Sequence, residues 1–544
     1  MKVLPNGKIL LCAGNTAGEV FIWILPDSID CNLTNLPSSP VHVYQGNQVG
    51  TNSLAVGFNY LSDDNQQVLI LSGGDDQAIS CSIVDISIGA EDIISTIRES
   101  MTYKEACGSA IKGIAITGDA KSGFRVYTTG YDNRLSIWLL TANGSGTKGA
   151  SLSQNLQYLS SAPVEIKDIN SLDCCRVRDS NGAEKDLLVA GGEGLELLSF
   201  DLNIWKAAQA LKKCNYLLIT CGAGFSQDSG LATYETMPEE YRDLCNPLRL
   251  VDQTSTFQRF WSRFSETYQN TESHSGYKIL EQWCGSNKLE NLITETENRN
   301  NNRNGDHEDL TETSPWWIYS SNVDGHFSRS KCFSETICEI HGNASHFRCS
   351  HAMGNTTATG QKRQGATWDP WHEKVASISP SDECCSSVTF PVSEEAEEIL
   401  CRNKSCSLPA RPNVLLFHDV DVNVLNSINN QRDRYQRWEE RVENDVVQHG
   451  SNLVIIELGA GLSVPAVRNE TEEVFNDTAH RLKDPGTNSN SKSNGNGSVT
   501  CIRINPKDAG FEVKKEDDRG DTVSIYDKAE SALKMIDNAL SCIN

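Results

Sequence analysis

Asn322, Asp324 and His341 stand where short apolar runs end, and their types suit the holding and polarising of a polar ligand. An amide and a carboxylate sit two residues apart in Ser320-Ser321-Asn322-Val323-Asp324-Gly325-His326, directly after Trp316-Trp317-Ile318-Tyr319. His341 opens His341-Gly342-Asn343 after a second run, Thr336 to Ile340. Polar side chains gathered at the carboxyl ends of parallel strands are where open α/β sheets bind ligands. A third feature comes earlier in the chain. Leu217 to Ile219 is short enough for an inner parallel strand, and the glycines of Cys221-Gly222-Ala223-Gly224-Phe225-Ser226 let a backbone approach a diphosphate at the start of a helix. Alone, Gly-x-Gly is equally an ordinary tight turn, and so is Asn-x-Asp-Gly.

These residues meet only if a parallel sheet brings their strands together, and the second half of the chain has the pattern for one. Ile204 to Lys213 reads as a helix joining the two halves. Phe257, Phe260, Trp261 and Phe264 recur at helical spacing, a stripe that core packing explains better than ligand stacking. Between Ser286 and Ser314 the composition turns polar, and the run Asn298 to Asn304 is wholly Asn and Arg, so a disordered insertion is expected there.

The chain of 544 residues is long enough for several cores, so a multi-domain architecture is expected. A net charge of −24, from 72 acidic and 48 basic residues, argues against a broad surface for nucleic acid or anionic membrane. It agrees with basic peptide substrates, or simply with solubility. The 19 cysteines are spread along the length rather than packed into a disulfide framework, and read as reduced thiols. Pro5 and Asn6 interrupt the place where a signal peptide would need its apolar core, and no apolar run has the length of a membrane span. An intracellular protein, cytoplasmic or nuclear, is expected.

The first two hundred residues carry a repeat of an apolar run, a turn and a second short strand, at Ile9 to Trp23, Val68 to Ile83, Val126 to Trp138 and Leu187 to Leu198. The turn glycines Gly14, Gly73, Gly130 and Gly191 are separated by 59, 57 and 61 residues. Gly73-Gly74-Asp75-Asp76 and Gly130-Tyr131-Asp132-Asn133 have the residues of tight hairpins. These units resemble WD repeats with long outer loops. The segment is similar to the last blades of the large WD-repeat proteins that partner a tRNA 2′-O-methyltransferase. That resemblance implies a partial all-β propeller, about three and a half blades of a truncated interaction module that could bind a protein partner.

In the second half the motifs together resemble a family. Gly-Ala-Gly-x-Ser-x-x-Ser-Gly from Gly222, Asn322-Val323-Asp324-Gly325-His326, and Glu339-Ile340-His341-Gly342-Asn343, in that order, resemble the sirtuins, NAD-dependent protein deacylases. Ala410 to Phe417 is similar to the strand after the family's zinc module, Leu453 to Gly461 to the strand and glycine turn on the adenosine side of NAD, and Ile502 to Pro506 to the last such strand. The resemblance implies a Rossmann-like α/β domain with a small inserted zinc-type module. It implies an acylated lysine of a protein as substrate and NAD as cofactor, held by Gly222, Ala223, Gly224, Ser226, Tyr234, Ser321, Asn322, Asp324, Gly459, Ala460, Gly461 and Asn505. His341 would be the general base on a ribose hydroxyl, which an imidazole with an unperturbed pKa near ~6.5 can be at neutral pH. Asn322 and Asp324 would hold the nicotinamide carboxamide and ribose.

Several positions depart from the family pattern. Its Pro-Asp-Phe-Arg is Ala232-Thr233-Tyr234-Glu235 here, its Gln before Asn-x-Asp is Ser321, and its Gly-Glu after Phe417 is His418-Asp419. Glu235 puts a carboxylate where an arginine would meet the cofactor. The family's structural zinc takes two Cys-x-x-Cys pairs, whereas Cys349 has His351 nearby and no cysteine partner, Cys384 and Cys385 are adjacent, and Cys401 and Cys406 are widely spaced. The expected ligands are Cys349, Cys401, Cys406 and one of Cys384 or Cys385, with Cys384 preferred. The domain expectation is a WD-repeat region at 1–203, a linker at 204–213, and a catalytic domain at 214–508. That domain contains the insertion 286–314, the zinc-type module 344–410 and a low-complexity loop 484–498, and a tail 509–544 follows with a helix at 525–540. Deacylation leads the functional expectations; an NAD hydrolase or ADP-ribosyltransferase, and a non-catalytic NAD-binding interaction protein, are the alternatives.

Overall fold

The computed structural model describes residues 2–3, 8–25, 39–60, 65–88, 93–104, 106–119, 123–140, 156–178, 184–285, 288–292, 313–350, 390–391, 399–401, 408–419, 421–483, 497–511 and 520–542. Most of the expected insertion 286–314, most of the zinc-type module and most of the loop 484–498 lie outside them. The chain divides into a first unit, Met1–Leu202 with Ser541–Asn544, and a second, Asn203–Leu540.

The described residues of the first unit form four antiparallel sheets, of four, four, four and three strands. Each expected hairpin is present: Ile9–Gly14 pairs with Glu19–Leu25, Asn65–Gly74 with Ile79–Ile88, Gly123–Gly130 with Arg134–Leu140, and Glu184–Gly192 with Gly194–Phe200. The turns need left-handed residues, and Gly18, Gln77, Asn133 and Gly194 provide them at φ 84°, 60°, 51° and 138°. Apolar side chains alternate into shared layers, with Leu10, Val20 and Ile22 meeting Val68 and Ile70, while Leu69 and Leu71 of the second sheet meet Ile114 and Val126 of the third. The fourth sheet is fastened differently. Buried Asp186 accepts hydrogen bonds from Thr117, Arg125 and Tyr127 of the third sheet, so its charge is neutralised where water is excluded.

In the second unit six parallel strands form one sheet, in the spatial order Ile337–Glu339, Trp316–Ser320, Tyr216–Cys221, Asn452–Leu458, Ser498–Ile504, Gly520–Ile525. Numbered by their order in the chain, these strands run 3-2-1-4-5-6, the doubly wound arrangement in which the winding direction reverses between strands 1 and 4. Tyr216–Cys221 is buried along its whole length, as an inner strand covered on both faces must be. The strand Gly520–Ile525 was not expected: the segment 509–544, read as a tail with one helix, adds the sheet's last strand and then the helix Ala529–Cys542. A polar start, Gly520-Asp521-Thr522, hides it, because an edge strand needs fewer apolar residues than an inner one. A second, antiparallel sheet joins Gly342–Cys349 to Ala410–Val414 and Phe390–Pro391. Among the described residues no helix is long and apolar enough to cross a membrane.

Helices Val422–His449 and Ala466–Lys483 cover one side of the parallel sheet, with Tyr435, Trp438, Val467 and Val474 in its core. Asp421 caps the first of them, accepting from the Asn423 and Val424 backbone N–H groups. Glu439 is half-buried on that helix. Burial, then the charges of Glu470, Glu443, Glu473 and Asp477, push its carboxyl up to about 8. A carboxyl with a raised folded-state value binds its proton more tightly folded than unfolded, so its contribution is fully present below its ordinary 4.5 and is lost as pH rises through about 8. Thermal melts of Glu439→Gln should therefore match the parent at pH 4.5 and exceed it at pH 8.5 by about 2–4 °C, the shift for roughly 1 kcal/mol in a domain of this size. Equal melting temperatures at pH 8.5 would show that Glu439 is solvated.

Candidate functional site

Reversal of winding opens a crevice between the carboxyl ends of Tyr216–Cys221 and Asn452–Leu458, and a glycine turn follows each strand. The two turns pack backbone against backbone. A Cβ on Gly222 would lie 2.5 Å from the Ala460 Cα, and one on Gly224 would lie 2.8 Å from the Gly459 carbonyl oxygen. Gly459 itself adopts φ 61°. The sequence pattern suggested that the first pair of glycines admits a diphosphate; their first task is to admit the second turn. The Gly222 and Gly224 N–H groups donate to the Leu458 and Gly459 carbonyls at 2.9 and 3.0 Å. A Cβ on Gly461, by contrast, would meet open space.

A cavity of about 470 Å³ lies over these turns. Of the expected cofactor residues, Gly222, Ala223, Gly224, Tyr234, Ser321, Gly459, Ala460, Gly461 and Asn505 line it. Asn505 is a fastening residue here: its Nδ2 donates to the Ala460 carbonyl at 2.9 Å, while its Oδ1 accepts from the Lys507 and Asp508 backbones. Arg468 bridges the Ala460 and Asp508 carbonyls at 2.9 and 2.7 Å, which fixes the mouth on that side. Lys507 and Lys528 also line the cavity and bring positive charge suited to a phosphate. Lys507 was legible in principle as a base following the last motif strand; Lys528 comes from the segment read as a tail. Asp228 is already engaged, accepting from the Glu530 backbone at the start of the last helix.

Ala223, Thr233, Tyr234, Ser321 and Val464 are shared with a second cavity of about 360 Å³. Ser226, Asn322 and His341 line this second one, so the base candidate and the glycine turn face adjoining spaces. The His341 Nδ1–H donates to the Ser321 carbonyl at 3.1 Å. A carbonyl can only accept, so in the neutral ring Nε2 keeps its lone pair. Burial, with Arg432 adding to it, holds the imidazole below its ordinary value despite the Ser321 hydrogen bond, so the ring is neutral at pH 7. Asn322 is 6% exposed, and neither its Oδ1 nor its Nδ2 has a protein partner. An unpaired buried amide on a cavity wall is costly unless a ligand completes it. That vacancy of partners, the glycine turns and the two lysines together fit a dinucleotide such as NAD.

Asp324 has a different place. It lines neither cavity; its carboxylate accepts from the Ser226 hydroxyl, from Tyr277 at 3.4 Å and from the His326 backbone at 2.8 Å. Its chemistry here is to orient Ser226, which does reach the cavity. Glu339 likewise acts behind the site. Burial pushes it up to about 7, and it holds Asn343 and Ser328, both at 3.1 Å.

Glu235 lines the first cavity at an exposed position. A cation is nonetheless close: Arg242 donates to the Met237 and Glu235 carbonyls, both at 2.8 Å, and its guanidinium lies 5.7 Å from the centre of the Tyr234 ring. Arg242 thus braces the loop that carries both residues. Asp419, which departs from the family pattern, is 1% exposed in its side chain, is paired with Arg411 and lines neither cavity. His418 adopts φ 64°, the left-handed region that glycine occupies without strain. Trp261 and Phe264, read as core, contribute to the core and to the second cavity together.

Of the expected zinc ligands, Cys384 and Cys406 lie outside the described residues, as do Cys385 and His351. Cys349 and Cys401 are described, packed with the apolar cluster around Phe347, Ile399 and Leu408. Among the described residues no group of three His, Cys, Asp or Glu side chains is placed to hold a metal. The described residues therefore do not by themselves make a zinc site.

No protein-family model matches the chain, and neither does any curated protein. Solved structures similar to it include a Sir2 homologue in complex with NAD, at 16% identity and TM-score 0.35, covering 62% of this chain and 93% of that one. A mutant Sir2 homologue with 2′-O-acetyl ADP-ribose has 15% identity and TM-score 0.34, covering 62% and 96%. Sir2Tm bound to a propionylated peptide has 13% identity and TM-score 0.31, covering 60% and 94%.

Proposed function

We propose that the second unit is a sirtuin-type NAD-dependent deacylase acting on acylated lysine in proteins. The observation that supports this most is His341, neutral, with Nδ1 engaged by Ser321 and Nε2 free to accept a proton, on the wall of an apolar cavity that adjoins the glycine-lined crevice. When bound, NAD would supply the ribose carbon that loses nicotinamide and the oxygen that receives the acyl group, so that acyl-lysine, NAD and water give lysine, nicotinamide and O-acyl-ADP-ribose. In this reading His341 takes the proton of a ribose hydroxyl, which makes that oxygen a better nucleophile. Asn322 offers its unpartnered amide to the carboxamide, and Ser226 is held in place by Asp324. Lys507 and Lys528 offset the diphosphate charge against Glu235 and Asp508 on the same walls. The first unit is read as an interaction module of WD-repeat type that binds a protein partner, and a structural zinc would be shared by Cys349 and Cys401 with Cys406 and Cys384 or Cys385, which lie outside the described residues.

The full chain incubated with NAD and an acetyl-lysine peptide should release nicotinamide in proportion to deacetylated peptide. The family's Gly-Glu and glutamine are His418-Asp419 and Ser321 here, which favours an NAD hydrolase or ADP-ribosyltransferase as the second reading. Nicotinamide released equally without peptide would establish that second reading, and no release in either mixture would leave an interaction protein.

A further inference from the structure

The second cavity continues in apolar walls well beyond His341 and Asn322. Met237 and Cys245 come from the segment after the glycine turn, Trp261 and Phe264 from the helix Thr254–Asn270, and Val414 and Leu416 from the strand of the smaller sheet and its exit. These elements are bound to one another at the cavity. The Phe417 N–H donates to the Cys245 carbonyl at 3.0 Å, and the Trp261 Nε1–H donates to the Leu244 carbonyl at 3.0 Å. The apolar surface reaches the outside. Tyr234 and Phe417 face each other with ring centres 4.8 Å apart, and they remain 39% and 45% exposed. Val464, 43% exposed, borders both cavities beside them.

Among the described residues no lysine or arginine lines this cavity, although two lysines line its neighbour. A carboxylate entering it would leave water with no described lysine or arginine to meet it, only the His341 and His418 rings and the Tyr268 side chain. A hydrocarbon chain would meet aromatic and aliphatic walls along its length, and each methylene leaving water is favourable.

On the deacylase reading above, we propose that the acyl group this site takes is an uncharged hydrocarbon chain longer than acetyl, of medium length, lodged between the Thr254–Asn270 helix and the Val414–Phe417 segment. The reaction balance is that of deacylation, with the acyl carbonyl passing to the ribose oxygen whatever the chain.

The test uses the full chain with NAD and one peptide sequence carrying acetyl, butyryl, octanoyl or succinyl lysine, reading nicotinamide release and peptide mass. Since a fully buried methylene is worth up to about fourfold, kcat/KM should rise at least about tenfold from acetyl to octanoyl. Succinyl should fall at least about tenfold below butyryl. A best rate on acetyl, or a succinyl rate equal to butyryl, overturns the proposal while leaving the deacylase reading intact. If no peptide is turned over, the deacylase reading fails instead, and binding of the same peptides by fluorescence polarisation decides the chain preference; equal affinity for octanoyl, acetyl and succinyl peptides overturns it. Cys245→Phe should lower the octanoyl-to-acetyl ratio by filling the cavity, with Cys245→Leu as the smaller addition if the first does not fold. An unchanged ratio in a folded variant counts against this lodging of the chain.

Discussion

Replacing His341 by alanine is expected to lower peptide-dependent nicotinamide release by about 10²- to 10⁴-fold, the usual range for a lost general base, with NAD binding retained. The expectation follows from tautomer and charge together. The Ser321 carbonyl takes the Nδ1 hydrogen at 3.1 Å, so the available lone pair is on Nε2. Burial, helped by Arg432, lowers the value from 6.5, so the active neutral form persists to a more acid pH than in a solvated histidine. The base form is required, so activity should be flat through neutral pH and decline on the acid side only below 6.5. Retention of more than a tenth of the parent rate in His341→Ala would show that another group takes the proton. A decline beginning above pH 7 would show that the imidazole is more exposed to solvent or more acid-stabilised than its surroundings indicate.

The largest effect on stability is expected at Arg411. Its guanidinium is wholly buried, donates to both oxygens of Asp419 and to the Val414 carbonyl, and lies 3.5 Å from Asp421. Asp419 in turn accepts from the Leu416 and Asp421 backbones, and Asp421 caps the long helix. Burial raises Asp419, but Arg411 outweighs it and holds that carboxyl below its ordinary value, whereas burial prevails at Asp421 and keeps it raised. Arg411→Met removes the cation these two buried carboxylates share, leaving them backbone donors and the Arg348 charge, a change worth about 3–5 kcal/mol. Urea denaturation at pH 7 should reveal it. The parent keeps the Asp419 contribution at all pH values above 3.8 and loses it as pH falls through the depressed folded value. In Arg411→Met the sign reverses, since carboxyls left buried without that cation are raised, so the variant's deficit should shrink on acidification from pH 7 toward pH 4.5. Adding Asp419→Asn should restore part of the loss at pH 7. A deficit below about 1 kcal/mol, as for an exposed pair, would mean that water reaches the cluster. Because Val414 to His418 forms a wall of the second cavity, the same variant should also raise KM for the acyl peptide.

The family departures change meaning in this light. Of the pair His418-Asp419, His418 lines the second cavity, while Asp419 turns inward to Arg411, eight residues earlier. Glu235 does border the glycine-lined cavity, and its loop is braced by Arg242, a residue no motif singled out. Such compensation is invisible in one dimension because it joins positions that no local pattern relates.

The sequence alone determined the strands, since their apolar runs and the glycines that end them are local: Leu217 to Ile219, Trp316 to Tyr319, Leu453 to Leu458 and the recurring hairpins of the first unit are all strands. It also named residues that line the two adjoining cavities, because Gly222, Asn322 and His341 sit at strand ends where the chain must turn. The edge strand Gly520–Ile525 escaped notice, since one-sided burial leaves a polar pattern. What only tertiary structure decided is which atoms are still available. Packing of one glycine turn against the other engages the N–H groups of Gly222 and Gly224, Asp324 is drawn away to Ser226, and Asn322 keeps a buried amide with no protein partner. Hydrogen bonds saturate and cavities form between segments far apart in the chain, so residue types announce a site but only their packing shows which of its groups can meet a ligand.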